Sequence, residues 1–288
     1  MKLVLTFHED EKLRRIKIPG KIDLVRIPIF HVDAFAEGPF RGNPAAVCLL
    51  DSWLDDGLMR KVAAENNLFA TAFLAPEGDG YQLRWFTTRC EIRLCGHATL
   101  AAGFVVLNML EPERNMVHLK TRYGGTLTVR RDGEFFVMDF PALLPKRLET
   151  QPEGLVQSLG LKAEPTEVLE VNETYIAILE DEGVIAGAVP DFAKLEDLHP
   201  FAVAITARGK REDFVSRYFA PSYGVPEDHV TGSVHCALTP YWSKRLGKSQ
   251  LHARQLSDRG GELWCEVAGE RVLLKGKAVL MMQGTLTI

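Results

Sequence analysis

Two stretches of the chain share one pattern. "RLCGHATLAAGF" (93–104) and "HVTGSVHCALTPYW" (229–242) each set a glycine and a small polar group before an apolar segment that reads as helix. Residues 97–110 are apolar nearly all round, so that helix must be buried on every side. The second, 232–246, ends at Gly247, a natural left-handed C-cap. A chain with two such helices, about half its length apart, has to wrap each of them in other elements.

The rest of the sequence supplies the wrapping. "IPIFHVDAF", "RGNPAAVCLL", "TAFLAP", "YQLRWFT", "MVHLKTRY", "GTLTVRR" and "EFFVMDFP" read as strands, with an amphipathic helix at 55–67. The second half repeats the plan loosely. "TEVLEV" and "TYIAIL" precede a helix near 191–198, and "AVAITAR" and "VSRYFAP" follow it. "LHARQLS", "ELWCEVA", "RVLLKG" and "AVLMMQGTLTI" follow the second glycine-led helix. Many strands around two central helices predict an α+β fold of two pseudo-symmetric halves. "PALLPKRLETQPEG" (141–154), with three prolines, is the expected linker. The first half is then 1–140 and the second 141–278.

Bulk properties narrow the function. The 288 residues are 46% hydrophobic and 25% charged, the balance of a globular enzyme or binding protein. Net charge is −4 without a basic block, which argues against a nucleic-acid partner. No run approaches a membrane span, and the charged start lacks a signal-peptide core. A cytoplasmic protein is expected. The odd count of five cysteines fits free thiols.

The paired pattern also has a chemical meaning. The first N–H groups of a helix have no partner within it, and the macrodipole adds positive potential there. Glycine lets a ligand approach closely. Two helix starts facing each other would grip a carboxylate from a small molecule between the halves.

"VDAFAEGPFRGNPAAVCLL", "LRWFTTRCEIRLCGHATLAA", "SRYFAPSYGVPEDHVTGS" and "RGGELW" together resemble the PhzF family of phenazine biosynthesis-like isomerases. Within it, "RGNPAAVCLL", "LCGHATLA" and the C-terminal "RGGEL…GTLTI" are most similar to the phenazine biosynthesis-like domain proteins of animals. The likeness runs from about Ile27 to Ile288 and leaves 1–26 as an extension. It implies the diaminopimelate-epimerase-like fold, with the last strand, 279–288, returning to the first half. It implies a cofactor-free enzyme, often a homodimer, that moves a proton on a small carboxylate-bearing substrate; no bound metal is expected either, since no matching ligand pattern occurs. By that likeness Gly96, His97, Gly232 and Ser233 hold the carboxylate, His97 and Asp228 line the reacting face, and Asn43 shapes the pocket floor.

Three positions depart from the family pattern. The family usually reads Asn-Leu-Ser-Glu-Thr-Ala-Phe after the first helix, and its Glu is the general acid/base. Here "NLFATAF" sets Phe69 at the Ser and Ala70 at the Glu. Alanine cannot move a proton. Thr88 and His229 stand where proline is usual. Two functions therefore stay open: an impaired isomerase using Asp228 and His97, or a silent carboxylate-binding protein.

Blander readings stand beside these. His97 could cap its helix, Asp228 could be a solvated turn residue, and Ser233 could be an ordinary helix-start residue. Cys95 occupies the place of a thiol acid/base in related racemases, but no cysteine precedes "TG", and a buried small residue is the simpler reading. The spacing of Cys90, Cys95, His97, His229, His235 and Cys236 matches no common zinc pattern. Glu65 lies on the first helix and is a poor substitute for the missing Glu. Arg217 and Arg259 are candidates for structural ion pairs.

Overall fold

The computed structural model describes residues 25–288. All but the last two residues of the expected extension, 1–26, lie outside the described residues.

Two successive runs of strands follow one pairing plan. In the first, Arg26–Ala34 lies antiparallel to Asn43–Leu49, which runs parallel to Ala70–Glu77 after the helix Asp56–Asn66. Ala70–Glu77 pairs antiparallel with Gly80–Phe86. That strand runs parallel to Met116–Thr121, with the first central helix, Gly96–Val105, in the connection. Antiparallel Thr126–Asp132 and Phe135–Pro141 complete the run.

The second run repeats every step. Glu167–Val171 and Thr174–Ile178 are antiparallel, and Thr174–Ile178 is parallel to Ala202–Arg208 across two short helices. Ala202–Arg208 pairs antiparallel with Phe214–Ala220. Phe214–Ala220 is parallel to Gln250–Gln255, with the second central helix, Gly232–Leu246, in that connection. Gly261–Ala268 and Arg271–Gly276 close it. Parallel neighbours need a long crossover, and in both runs the second crossover is the glycine-led helix.

The two runs are tied at their ends. Their last strands, Phe135–Pro141 and Arg271–Gly276, pair antiparallel. The strand Ala278–Thr287 crosses back to pair with Arg26–Ala34. Its counterpart, Lys146–Arg147, pairs with Glu167–Val171. The predicted linker at 141–154 is thus partly ordered structure.

Local chemistry explains the helices. All ten residues of Gly96–Val105 are buried, as an all-round apolar helix requires. The predicted helix to residue 110 is not uniform, because Val106–Leu110 widens into a π-helical turn. Asp55 caps the helix Asp56–Asn66 by accepting from the N–H groups of Gly57 and Leu58 at 2.9 and 3.3 Å. Gly247 closes the second central helix at φ 69°, the left-handed C-cap. Pro240 inside that helix has no N–H for the carbonyl of Cys236. The N–H of Leu143, from the connector, fills that vacancy at 3.0 Å.

Candidate active site

The two central helices meet start to start. A Cβ built on Gly96 would stand 3.0 Å from the Cα of Gly232, and one built on Gly232 would stand 3.2 Å from the Cα of Gly96. Backbone faces backbone there, so a side chain at either position would press on the opposite helix start. The opening N–H groups of both helices, with the positive ends of both dipoles, converge on one junction.

The approach to the second start is a polar cage. Asp228 is 3% exposed. Its Oδ1 accepts from Nδ2 of Asn43 at 2.6 Å, and its Oδ2 from the hydroxyl of Thr231 at 2.5 Å. The Asn43 amide also donates to the carbonyl of Val230 at 2.9 Å. Gln255, fully buried, ties the turn from the other side. Its Oε1 accepts from the N–H of Thr231 at 2.8 Å, and its Nε2 donates to the carbonyl of Asp228 at 2.7 Å. Burial pushes the Asp228 carboxyl up to about 6, against the bonds from Thr231 and Asn43 that favour its charged form. Asp228 therefore holds its proton more tightly than an exposed carboxyl does. The solvated-turn reading of this residue does not hold.

The approach to the first start is apolar. His97 is buried, its Nδ1 3.5 Å from the Cys95 sulfur and its ring 5.3 Å from that of Phe69. Burial drives the imidazole down to about 3, with the positive field of His229 adding to the effect. His97 is thus neutral at physiological pH and is a hydrogen-bonding group rather than a charge. The cap position belongs to Cys95, which makes no side-chain capping bond, so the capping reading of His97 does not hold either. Burial pushes the Cys95 thiol well above its usual range, which suits a small buried residue better than a thiolate.

Ala70 is fully buried and opens the strand Ala70–Glu77, in parallel register with Ala45. Asn43 lies two residues before Ala45 and so on the same face of its strand. Phe69, next to Ala70, is the residue packed on His97. Position 70 thus adjoins the residues that hold Asp228 and His97, and it offers only a methyl. Ser233, the second residue of its helix, is half-buried at the junction.

Other candidates fall elsewhere. Glu65 is exposed on the helix Asp56–Asn66. Arg217 pairs with both carboxylate oxygens of Glu227 at 2.8 Å. Arg259 pairs with buried Asp33 at 2.8 Å and donates to the carbonyls of Gly42 and Arg41, joining the two halves beside the cage. Among the described residues, no three His, Cys, Asp or Glu side chains are grouped as metal ligands, and no helix is long and apolar enough to cross a membrane.

Thr231, Gln255 and Tyr218 escaped the sequence reading. Gln255 left a signal. It shares the buried face of its strand with Leu251 and Ala253, and a polar residue in an apolar alternation asks for partners. Tyr218 stands opposite Asp228 on the neighbouring strand.

The sequence profile described as "Phenazine biosynthesis-like protein" (PhzC-PhzF) matches residues 32–284. The chain belongs to the PhzC/PhzF family. An uncharacterized isomerase of Pseudomonas aeruginosa is 51% identical over 262 residues, covering 91% of this chain and 99% of the relative. The human phenazine biosynthesis-like domain-containing protein is 34% identical over 304 residues, covering 91% of this chain and all of the relative. Among solved structures, a PhzF-family protein of Enterococcus faecalis superposes with a TM-score of 0.85 at 43% identity, over 91% of this chain and 99% of the other. A hydroxyproline epimerase of Agrobacterium vitis, 10% identical, shares the fold at a TM-score of 0.62 over 91% and 93% of the two chains. The PhzF fold is the two-run, two-helix architecture described above.

Proposed function

We propose that this PhzF-family chain binds a small carboxylate-bearing metabolite at the junction of its two helix starts. The chemistry inherited with that site is isomerisation by proton transfer, without a cofactor. The observation that supports the reading is the close approach of Gly96 and Gly232, which brings the first turns of the two central helices together four residues from buried Asp228. Charge-assisted bonds to those groups favour an anion. Relatives named as isomerases agree with the reaction class.

Asp228, buried beside the second helix start with its carboxyl pushed up to about 6, is the group placed to give and take a proton. Neutral His97 polarises and orients. A second proton carrier on the opposite face of the substrate carbon is missing, because position 70 is alanine. The protein is thus expected to bind its ligand well and to exchange its proton slowly. The buried methyl at 70 also supports a second reading, a silent carboxylate-binding protein. A homodimer remains part of the proposal.

The test is hydrogen–deuterium exchange at the substrate carbon in heavy water. Ala70→Glu, alone and with Phe69→Ser to relieve crowding, should raise exchange by roughly 10²-fold with little change in affinity. Fast exchange by the unaltered chain that survives Asp228→Asn would defeat this assignment. No exchange in any variant that still binds would establish the silent reading.

A further inference from the structure

The Oδ1 of Asn43 and the Nε1 of Trp85 are buried without a hydrogen-bond partner among the described residues. Asn43 is fully buried and Trp85 is 2% exposed. The orientation of the Asn43 amide is set by its surroundings, because its Nδ2 faces two acceptors, the Asp228 carboxylate and the Val230 carbonyl. The unmatched atom of Asn43 is therefore an acceptor. The indole N–H of Trp85 can only donate. Buried polar atoms nearly always find partners, so a donor and an acceptor left unmatched ask for a cause.

Strand register sets both beside Ala70. Ala45 pairs with Ala70, and Ala72 pairs with Trp85. Side chains alternate along a strand, so Asn43, Ala45, Ala70, Ala72 and Trp85 share one face of the sheet. Ala45, Ala70, Ala72 and Trp85 belong to one buried cluster. The second half shows how far a long side chain reaches across that face. Tyr218 pairs with Ala204 as Trp85 pairs with Ala72, and Thr174 pairs with Ala202 as Ala45 pairs with Ala70. The Tyr218 hydroxyl runs diagonally over this alanine pair to Thr174, 3.4 Å away. The same reach lays the Trp85 indole over Ala72 and Ala70. Position 70 thus carries a methyl between a buried donor and a buried acceptor.

A carboxamide, or a protonated carboxyl, brings one acceptor for the indole N–H and one donor for the Asn43 Oδ1. An acceptor facing a carboxyl favours its protonated form, the form that can give a proton. We propose that Trp85 is a positioning residue, whose N–H holds a carboxyl or carboxamide borne at position 70 with the Asn43 Oδ1 facing its donor. This rests on position 70 being the place of the second proton carrier, as proposed above. The chain keeps the receiving groups for an acid that its own residue 70 does not supply.

Urea melts and NMR of the full chain test the seat. Ala70→Gln adds a donor and an acceptor, and Ala70→Met adds similar volume with neither. The ratio of the Gln to the Met folding constant should fall about 10-fold when both are combined with Trp85→Phe, since the volume lost at 85 is common to the pair and cancels. The Trp85 indole N–H signal, identified by its loss in Trp85→Phe, should lie further downfield and exchange more slowly with solvent in Ala70→Gln than in Ala70→Met. Should the longer side chains prevent folding, Ala70→Asn against Ala70→Leu repeats both measurements. A ratio that ignores Trp85→Phe, or an indole signal that is the same in both variants, overturns the seat. Proton exchange by Ala70→Glu judges the earlier reading separately. Slow exchange there, with the Trp85 coupling intact, defeats the proton-carrier assignment and leaves the seat standing.

Discussion

The two helix starts share a backbone plan and differ in their side chains. Asp228 lies four residues before Gly232, and Ile92 lies four residues before Gly96. Asp228 pairs across its strand with Tyr218, and Ile92 pairs with Trp85. The second start is approached through a carboxyl held by Asn43 and Thr231, on a turn tied by Gln255 to the backbone carbonyl of Asp228. The first is approached through Ile92, Trp85 and Phe69. Repetition of the backbone brings two helix starts together, while a buried carboxyl four residues upstream occurs only at the second. Ala70, in the first half as well, is fully buried and adds only a methyl.

The backbone part of this comparison is the most fragile. Gly96→Val must force the two helix starts apart, since its Cβ would press on the Cα of Gly232. A loss of carboxylate affinity of at least about 100-fold is expected, with a stability cost of roughly 1–3 kcal/mol. Calorimetry and urea melts read the two effects separately. Unchanged affinity would mean that the ligand sits elsewhere.

Making the second start resemble the first is the next test. Asp228→Leu strips the acceptor from the Asn43 amide and the Thr231 hydroxyl and leaves both donors buried. Each orphaned group costs about 1–3 kcal/mol, so a total of about 2–6 kcal/mol is expected in urea melts. Ile92→Leu, a volume-conserving change at the equivalent place, should cost less than about 1.5 kcal/mol. Equal costs at the two positions would erase the proposed asymmetry.

How much of this the sequence discloses depends on distance along the chain. The central helices are legible because glycine, a polar group and an apolar run are local signals. Asn43 meets Asp228 across 185 positions, and no local pattern announces that contact. Lys146–Arg147 hides in a proline-rich stretch because its partner, Glu167–Val171, lies beyond the next helix. The helices Leu155–Ser158 and Glu182–Gly187 are too short to show a period. Ala70 is the opposite case. Its meaning comes wholly from the sequence, since a buried alanine on a strand looks ordinary in the structure.

The smallest effect is the most specific. The folded Asp228 carboxyl titrates at about 6, above its ordinary 3.8, because it is buried. Its ionisation therefore weakens the fold. The cost is absent below about pH 4, where the group is protonated folded or unfolded, and it is complete above about pH 6. The Thr231 hydroxyl donates to this carboxylate and favours the charged form. Thr231→Val should push the carboxyl higher still, and the variant should lose more stability above pH 6 than below pH 4. A difference of about 1 kcal/mol is expected between urea melts at the two ends of that range. The buried imidazoles of His97 and His235 are pushed down to about 3 and about 4, so they add the opposite slope, losing stability as pH falls from 6.5. That slope is common to both proteins and cancels in the difference between them. An equal loss at both ends would mean that Thr231 serves packing alone, and that the cage around Asp228 does not tune its proton.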